Sequence, residues 1–172
     1  MTAPATPLMN LDPIVFEDVE ENGPCNSKRG FSNEKIDARQ LGYKVTVLPP
    51  GKAQCPFHNH RAKEQMLLIL DGEGELRSGD RRYPLRRHNV ISCPAGGPEV
   101  AHQIRNTGAT ELRYLALSTL APVEVCEYPD SGKLSIYVEG ATARCARCSA
   151  PRSWPITMAA SPAPLRNRRH DP

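Results

Sequence analysis

The segment FHNHRAKEQMLLIL, residues 57–70, carries the side chains of this sequence that are best suited to hold a metal ion. His58 and His60 are separated by one residue, so a β-strand places both imidazoles on the same face of a sheet. They offer two nitrogen ligands in a fixed arrangement, and His102, in the later segment AHQIRN, is a third candidate ligand. The pattern predicts a divalent metal site, with zinc, nickel, iron or manganese as the ion.

The alternative interpretation is that these histidines are ordinary polar residues at the end of a strand. That interpretation is preferable for a single histidine in such a position. Here three of the five histidines of the chain, His58, His60 and His102, fall into one arrangement. Their number favours the metal site.

Strand alternation also predicts which side chain after the two histidines faces them. In QMLLIL, Gln65 shares a face with Leu67 and Ile69, whereas Glu64 points to the other face. Gln65 is therefore the fourth candidate metal ligand. Its carbonyl oxygen is a neutral and weaker donor than a carboxylate, so we expect weakened metal binding. A β-bulge after the histidines would shift the register and make Glu64 the fourth ligand instead.

Length and composition are those of one soluble domain. The 172 residues suffice for a single core of moderate size. The longest apolar run, Met66–Leu70, has five residues, whereas a membrane-spanning helix needs about 20. The first residues, MTAPATPLMNLDPIV, have no basic region followed by an apolar region, unlike a secretory signal. We therefore expect a cytoplasmic protein that does not bind a membrane.

The positive charge of the chain lies at its C-terminal end. The net charge is +3, but residues 141–172 contain six arginines and one aspartate, a balance of +5, which leaves −2 for residues 1–140. A nucleic-acid-binding domain would carry its basic residues on a structured face. We therefore expect no nucleic-acid partner.

The pattern of apolar residues from position 42 onwards is typical of β-strands. In GYKVTVL, Tyr43, Val45 and Val47 alternate with Lys44 and Thr46, which predicts a strand with one buried face. Further short apolar segments follow, separated by turns that contain Gly, Asn or Asp. Short strands without helices between them predict an all-β domain, built as an antiparallel sandwich or barrel.

The sequence divides into three parts. Residues 1–39 are predicted to be an N-terminal arm with a short strand, and residues 40–140 a barrel with closing strands. Residues 141–172 contain five prolines and no apolar periodicity, which predicts a disordered or weakly packed basic tail. Of the six cysteines, four are widely spaced and are expected to be reduced and buried. Cys145 and Cys148 form one CxxC without a second pair, which is weak evidence for zinc.

The histidine segment resembles the two conserved motifs of the cupin superfamily, G-x5-H-x-H-x3/4-E-x6-G and G-x5-P-x-G-x2-H-x3-N. The first motif corresponds to Gly51, His58, His60, position 65 and Gly72, and the second to position 88, Pro94, Gly96, His102 and Asn106. The wider sequence is similar to single-domain bacterial cupins labelled, by inference, as sugar-phosphate (mannose-6-phosphate-like) isomerases. The resemblance implies a double-stranded β-helix (jelly-roll) barrel, a divalent metal in its mouth and a homodimer.

Several positions depart from these motifs. Gln65 stands where the family has a glutamate, His88 where it has a turn glycine, and Asn89 where an aspartate usually follows. A histidine tolerates the left-handed backbone conformation less well than glycine, so we expect the turn at His88 to form at some energetic cost. Three additional residues, 97–99, lengthen the loop before His102.

Two kinds of function remain open at this point. The first is a metal-dependent enzyme that acts on a small polar substrate, such as an isomerase of sugar phosphates, with a metal-dependent dioxygenase as an alternative reaction. The second is a non-catalytic cupin that binds a small molecule and has a degraded metal site. Glu99, Tyr43 and Tyr114 are candidates for proton transfer, and Arg105 and Arg113 for phosphate binding. The sequence does not select among them, and the catalytic residues stay unassigned.

Overall fold

The computed structural model describes residues 7–16, 18–31, 36, 38–139 and 145–149. Their regular structure is β, so the predicted all-β fold is confirmed, and the described residues contain one 3-10 turn, Pro98–Val100, and no α-helix. No helical segment in this part of the chain has the length and apolar character needed to cross a membrane. The strands are β1 (Asp18–Asn22), β2 (Cys25–Phe31), β3 (Leu41–Leu48), β4 (Asn59–His60), β5 (Gln65–Asp71), β6 (Gly74–Ser78), β7 (Arg81–Leu85), β8 (Val90–Cys93), β9 (His102–Asn106), β10 (Leu112–Thr119), β11 (Val123–Tyr128), β12 (Lys133–Val138) and β13 (Cys145–Ser149).

Antiparallel pairing arranges these strands into the two walls of a barrel. The first wall is a six-stranded sheet in the order β1-β2-β3-β10-β5-β8. The second consists of a four-stranded sheet, β13-β12-β11-β4, and a three-stranded sheet, β7-β6-β9. An antiparallel bridge between His58 and His102 connects these two sheets. The result is a double-stranded β-helix, or jelly-roll, as predicted.

A cluster of buried apolar side chains fills the barrel beside a polar cavity. Four of its residues, Leu67, Ile104, Tyr114 and Ala116, also line that cavity. The packed core therefore fixes the position of the cavity wall. The whole cluster comprises Leu48, Leu67, Ile69, Leu76, Leu85, Ile91, Cys93, Ile104, Leu112, Tyr114 and Ala116.

The second half of strand β3 is buried on both faces, whereas the alternation in GYKVTVL predicted one buried face. Val45 and Val47 are buried, and Thr46 between them is fully buried as well. Lys44 lies on the same face as Thr46 and lines the cavity. The prediction of a single buried face was wrong because the inside of this barrel is partly polar. Polar residues of β3 therefore point inwards.

The N-terminal segment covers the outer face of β3. Within residues 1–39, predicted as an arm with a short strand, the described residues form two strands, and β2 pairs with β3. Ile14 is buried against Gly30, where an added Cβ atom would lie 2.8 Å from Ile14 Cγ1. Gly30 pairs with Val45. The absence of a side chain at Gly30 thus lets the chain around Ile14 pack over the sheet.

The structure describes one strand within the predicted tail, and the prediction of a disordered or weakly packed tail stays a prediction. Within residues 141–172, Cys145–Ser149 form β13, which pairs with β12 at the edge of the second wall. Edge pairing uses backbone hydrogen bonds, so it does not require the apolar periodicity whose absence suggested a disordered or weakly packed tail. The remainder of this segment, including Trp154, lies outside the described residues.

His88 adopts the left-handed backbone conformation, with φ of 71°, and it is the one non-glycine residue of the described chain with positive φ. Its N–H donates to the carbonyl of Ile69 at 2.9 Å, and the side-chain oxygen of Asn89 accepts from the Arg86 N–H at 2.8 Å. The turn therefore keeps a glycine-like geometry although the residue is histidine. Such a residue carries a strain of about 1–2 kcal/mol.

Replacing His88 with glycine is expected to stabilise the protein. His88→Gly removes the strain but adds conformational freedom to the unfolded chain, which leaves a net gain of roughly 0.5–1 kcal/mol. Arg87→Gly is the matched control, because Arg87 lies in the same turn without positive φ, and it should lose roughly 0.5–1 kcal/mol. Urea unfolding of both variants measures the two changes. A loss of stability in His88→Gly would mean that the imidazole makes contacts worth more than the strain.

Candidate metal centre

His58 and His102 face each other across neighbouring chain segments. The His58 N–H donates to the His102 carbonyl at 3.1 Å, and the His102 N–H donates to the His58 carbonyl at 2.8 Å. Residues paired in this way project their side chains to the same face of a sheet. Their ring centroids are 4.7 Å apart, and both rings line the cavity. The structure thus brings together two histidines that are 44 positions apart in the sequence.

His60 and Cys126 form the adjacent pair on the same wall. They are directly opposite each other in the β4–β11 ladder, and both line the cavity. The ring centroids of His58 and His60 are 5.1 Å apart. One potential ligand atom from each of His58, His60 and Cys126 lies within 4.8 Å of the other two. Two of these three donors, His58 and His60, were predicted from sequence, and Cys126 was not. The predicted His102 lies beside His58 but outside this group of three.

Gln65 and Glu64 have the orientations that strand alternation predicts. Gln65 lines the cavity from β5, in the opposite wall from the histidines. Glu64 is exposed, and its N–H donates to the Thr119 hydroxyl at 3.0 Å. The register after His60 therefore does not turn Glu64 inwards. Coordination by Gln65 stays a prediction.

The hydrogen bonds of the imidazoles leave nitrogens free to bind an ion. His58 Nδ1 lies 3.0 Å from the carbonyl of Pro56, and His102 Nδ1 lies 3.4 Å from the carbonyl of Val100. A carbonyl oxygen only accepts, so each Nδ1 carries the proton and each Nε2 is available as a ligand. Among the residues that the structure describes, His60 Nδ1 is buried and has no hydrogen-bond partner. A buried nitrogen of this kind, beside other donors, fits a metal site.

Burial sets the protonation states of these donors. It lowers the pKa of His58 to about 4, of His60 to about 3 and of His102 to about 4. All three imidazoles are therefore neutral near pH 7, which is the form that binds a metal ion. Burial also raises the pKa of the Cys126 thiol to about 12. A cation bound at this thiol would displace its proton.

Glu124 fixes the chain that follows His60. Its carboxylate is buried and accepts three backbone N–H groups, from Arg61 at 2.9 Å, Ala62 at 3.2 Å and Lys63 at 2.7 Å. One carboxylate oxygen lies 3.8 Å from His60 Nδ1. That distance exceeds a hydrogen bond, so the present role of Glu124 is to hold the loop between His60 and β5.

The donors open into a cavity of about 320 Å³, at the small end of the range for ligand pockets. Three cationic residues, Arg29, Lys44 and Lys63, line its wall, together with the carboxylate of Glu124. Lys44 was not predicted to line a cavity because the alternation in GYKVTVL placed its side chain on the unburied face of the strand, and Arg29 and Lys63 were not singled out by any pattern. Of the five residues proposed for proton transfer or phosphate binding, Tyr114 lines this cavity. The other four, Tyr43, Glu99, Arg105 and Arg113, do not line it.

Comparisons with known proteins agree with the fold. Residues 44–118 match the family model of the cupin domain. The chain is 29% identical over 90 residues to the oxalate-binding protein of Thermotoga maritima, an alignment that covers 52% of this chain and 71% of that protein. Two further curated relatives are matched over 12% and 46% of their own lengths.

Solved structures of the same architecture superpose on most of the chain. A cupin-superfamily sugar phosphate isomerase from Silicibacter pomeroyi has a TM-score of 0.69 at 21% identity, covering 77% of this chain and 87% of that one. A proposed sugar phosphate isomerase from Acidithiobacillus ferrooxidans has a TM-score of 0.64 at 23% identity, covering 70% and 76%. At these identities the similarity concerns the fold. Residues 44–118 thus match the cupin domain, and the described chain has the fold of these cupin structures.

Proposed function

We propose that the protein is a metal-binding cupin that acts on a small, anionic, polar substrate, with isomerisation of a sugar phosphate as its reaction. The observation that carries the proposal is the convergence of His58, His60, His102 and Cys126 on one wall of a cavity whose opposite wall holds cationic residues. The donors would hold a divalent ion, and the cations would hold an anionic group of the substrate. One cavity would thus offer a sugar phosphate both a metal ion and positive charges for its phosphate group.

The donor set favours an ion that accepts both nitrogen and sulfur ligands. Three neutral imidazoles and the amide of Gln65 would leave the charge of a divalent ion uncompensated. Cys126 supplies a negative charge once its thiol proton is displaced. Imidazole with thiolate is a combination typical of zinc and also compatible with iron or nickel, whereas manganese prefers oxygen ligands. We therefore assign zinc as the first candidate.

The metal ion, the histidines and Glu124 would have separate roles in the cavity. A bound divalent ion would supply Lewis-acid polarisation of a substrate oxygen. His58 and His102 are oriented by backbone carbonyls, so their Nε2 atoms are preset towards the cavity. The loop after His60 is held by Glu124, which fixes the backbone of residues 61–63 beside the cavity.

A second candidate function is binding without catalysis. Glu124 is the only carboxylate among the described residues that line the cavity, and its oxygens already accept three backbone N–H groups. A free carboxylate base is thus missing from the described wall. This observation favours a small-molecule-binding cupin, in line with the oxalate-binding relative.

The homodimer that the cupin resemblance implies also stays a prediction.

Turnover separates the two functions. Zinc-loaded protein is expected to interconvert the aldose and ketose forms of a hexose phosphate, and protein stripped with a chelator is expected to lose that activity. Proton NMR of the sugar measures the conversion directly. Saturable binding of the sugar phosphate without conversion, with zinc and then with iron or nickel, would select the binding function. Absence of both binding and conversion would rule out sugar phosphates as ligands.

The role of Cys126 can be tested without activity. Cobalt(II) added to the metal-free protein should produce a thiolate-to-cobalt charge-transfer absorption in the near ultraviolet. Cys126→Ser should abolish this band and weaken zinc binding at least about tenfold, or roughly 1.4 kcal/mol. Cys55→Ser is the matched control, because the Cys55 sulfur also lies near a donor, 3.3 Å from His58 Nδ1. A band that persists in Cys126→Ser and disappears in Cys55→Ser would assign the thiolate ligand to Cys55.

The charge at position 65 is expected to tune metal affinity. Gln65→Glu adds a carboxylate on the cavity side and should raise divalent-metal affinity at least about tenfold, or roughly 1.4 kcal/mol. Glu64→Gln removes an exposed charge and should change the affinity little, because water and salt screen that charge. Titration of chelator-stripped protein with zinc measures both effects. If Glu64→Gln changed the zinc affinity more than Gln65→Glu did, the metal would lie close to Glu64 and not in the cavity.

A further inference from the structure

We propose that Lys44 and Lys63, supported by Arg29, form a subsite for a small dianion in the cavity. This inference rests on the proposed function and specifies the part of the substrate that the metal does not hold. The dianion is a phosphate monoester or a dicarboxylate, because both offer two negative charges on closely spaced oxygens. Four observations support the subsite: the positions of Lys44 and Arg29 on the sheet, the charge of the cavity wall, the contacts of Lys63 and the strands that supply these residues.

The strand register places Lys44 on the cavity side of the six-stranded sheet. Lys44 on β3 is paired with Ala116 on β10, which is paired with Leu67 on β5. All three line the cavity. Neighbouring strands are about 4.8 Å apart, so the Lys44 backbone lies about 10 Å from that of Leu67. The methyl group of Ala116 between them leaves space for the long lysine side chain to extend over the sheet.

Arg29 lies next to Lys44 on the same sheet. Its strand partner on β3 is Thr46, two residues from Lys44, so the two cationic side chains are diagonal neighbours. Arg29 also forms an ion pair with Glu20, at 3.2 Å. Glu20 is absent from the cavity wall described here. We therefore give Arg29 a supporting role.

The described wall of the cavity is positively charged. Arg29, Lys44 and Lys63 contribute three positive charges, and Glu124 contributes one negative charge. The carboxylate of Glu124 is already solvated by three backbone N–H groups. Positive charges in a concave, partly water-excluded site attract anions more strongly than they would on an open surface.

Lys63 is held where it can reach a ligand at the cavity rim. Its backbone N–H donates to Glu124 at 2.7 Å. Its ammonium group lies 5.0 Å from the ring centroid of Tyr137, a residue that lines the same cavity. A cation–π contact at a partly exposed site is weak, of the order of 0.5–1 kcal/mol. The lysine is therefore positioned but can still turn towards an anion.

Several of these residues come from outside the segment that matches the cupin domain. That segment is residues 44–118, whereas Arg29, Glu124 and Tyr137 belong to β2, β11 and β12. The strands added before and after the matched segment thus build one part of the cavity wall. Lys44 and Lys63 themselves lie inside the matched segment, so the subsite combines residues of the shared domain with residues of the added strands.

Calorimetric titration of the full chain tests the subsite, with inorganic phosphate and oxalate as probes, in zinc-loaded and in metal-free protein. Lys44→Gln and Lys63→Gln should each weaken anion binding at least about tenfold, since each removes a charge-assisted contact. Lys28→Gln is the matched control: Lys28 precedes Arg29 on β2 but is exposed and lies off the cavity wall. It should bind like the unmodified chain. Lys44→Arg, which keeps the charge, should retain binding and shows whether loss in Lys44→Gln reflects charge or misfolding.

The outcomes distinguish the subsite from the metal centre. Anion binding that requires zinc and is unchanged in Lys44→Gln and Lys63→Gln would place the anion on the metal and overturn the subsite, while the proposed function would stand. Anion binding in metal-free protein that both lysine variants weaken would support the subsite even if the protein bound no zinc, in which case the proposed function would fail. Tighter binding of phosphate would assign a phosphate monoester, and tighter binding of oxalate a dicarboxylate. Absence of binding of either anion at millimolar concentration would overturn the inference.

Discussion

The rest of the site depends on the antiparallel bridge between His58 and His102. The two residues exchange both of their backbone hydrogen bonds, which joins the sheet containing β4 to the sheet containing β9. Because paired residues share a face, the bridge that closes this wall of the barrel also puts two imidazoles side by side. Closing the fold and assembling the donors are therefore one event. His60 and Cys126 follow from the same register, one pair further along the wall.

Burial makes the assembled donors neutral, and this makes the site compatible with folding in the absence of an ion. Burial lowers the pKa values of the imidazoles and raises that of the Cys126 thiol. Without an ion, the cluster thus carries no charge that would have to be desolvated. A bound divalent ion would displace the thiol proton, and the thiolate would then offset part of the ionic charge. A charge would therefore be buried only when the metal ion and the thiolate are both present and offset each other.

The part of the site that depends on neighbouring residues could be predicted from the sequence. The part that depends on the pairing of distant strands could not. The shared face of His58 and His60, and the opposite orientations of Gln65 and Glu64, follow from strand alternation within a few residues. Cys126 joins the site only through its pairing with His60, 66 positions earlier, and no local pattern reports such a pairing. The inward orientation of Lys44 was missed for another reason. An alternating strand does not reveal whether its polar face meets solvent or a polar cavity.

The structure gives a second reason why a neutral side chain at position 65 suits this site. Gln65 lies on the same sheet as Lys44 and Arg29, whereas Cys126 lies on the histidine wall. A carboxylate at position 65 would serve a metal ion, but it would also cancel part of the positive charge that faces the cavity. With a neutral amide there, and with Cys126 as the proposed negative ligand, the cation and the anion would bind to opposite walls of the cavity. The departure from the cupin motif is thus compatible with a site that binds a cation on one wall and an anion on the other.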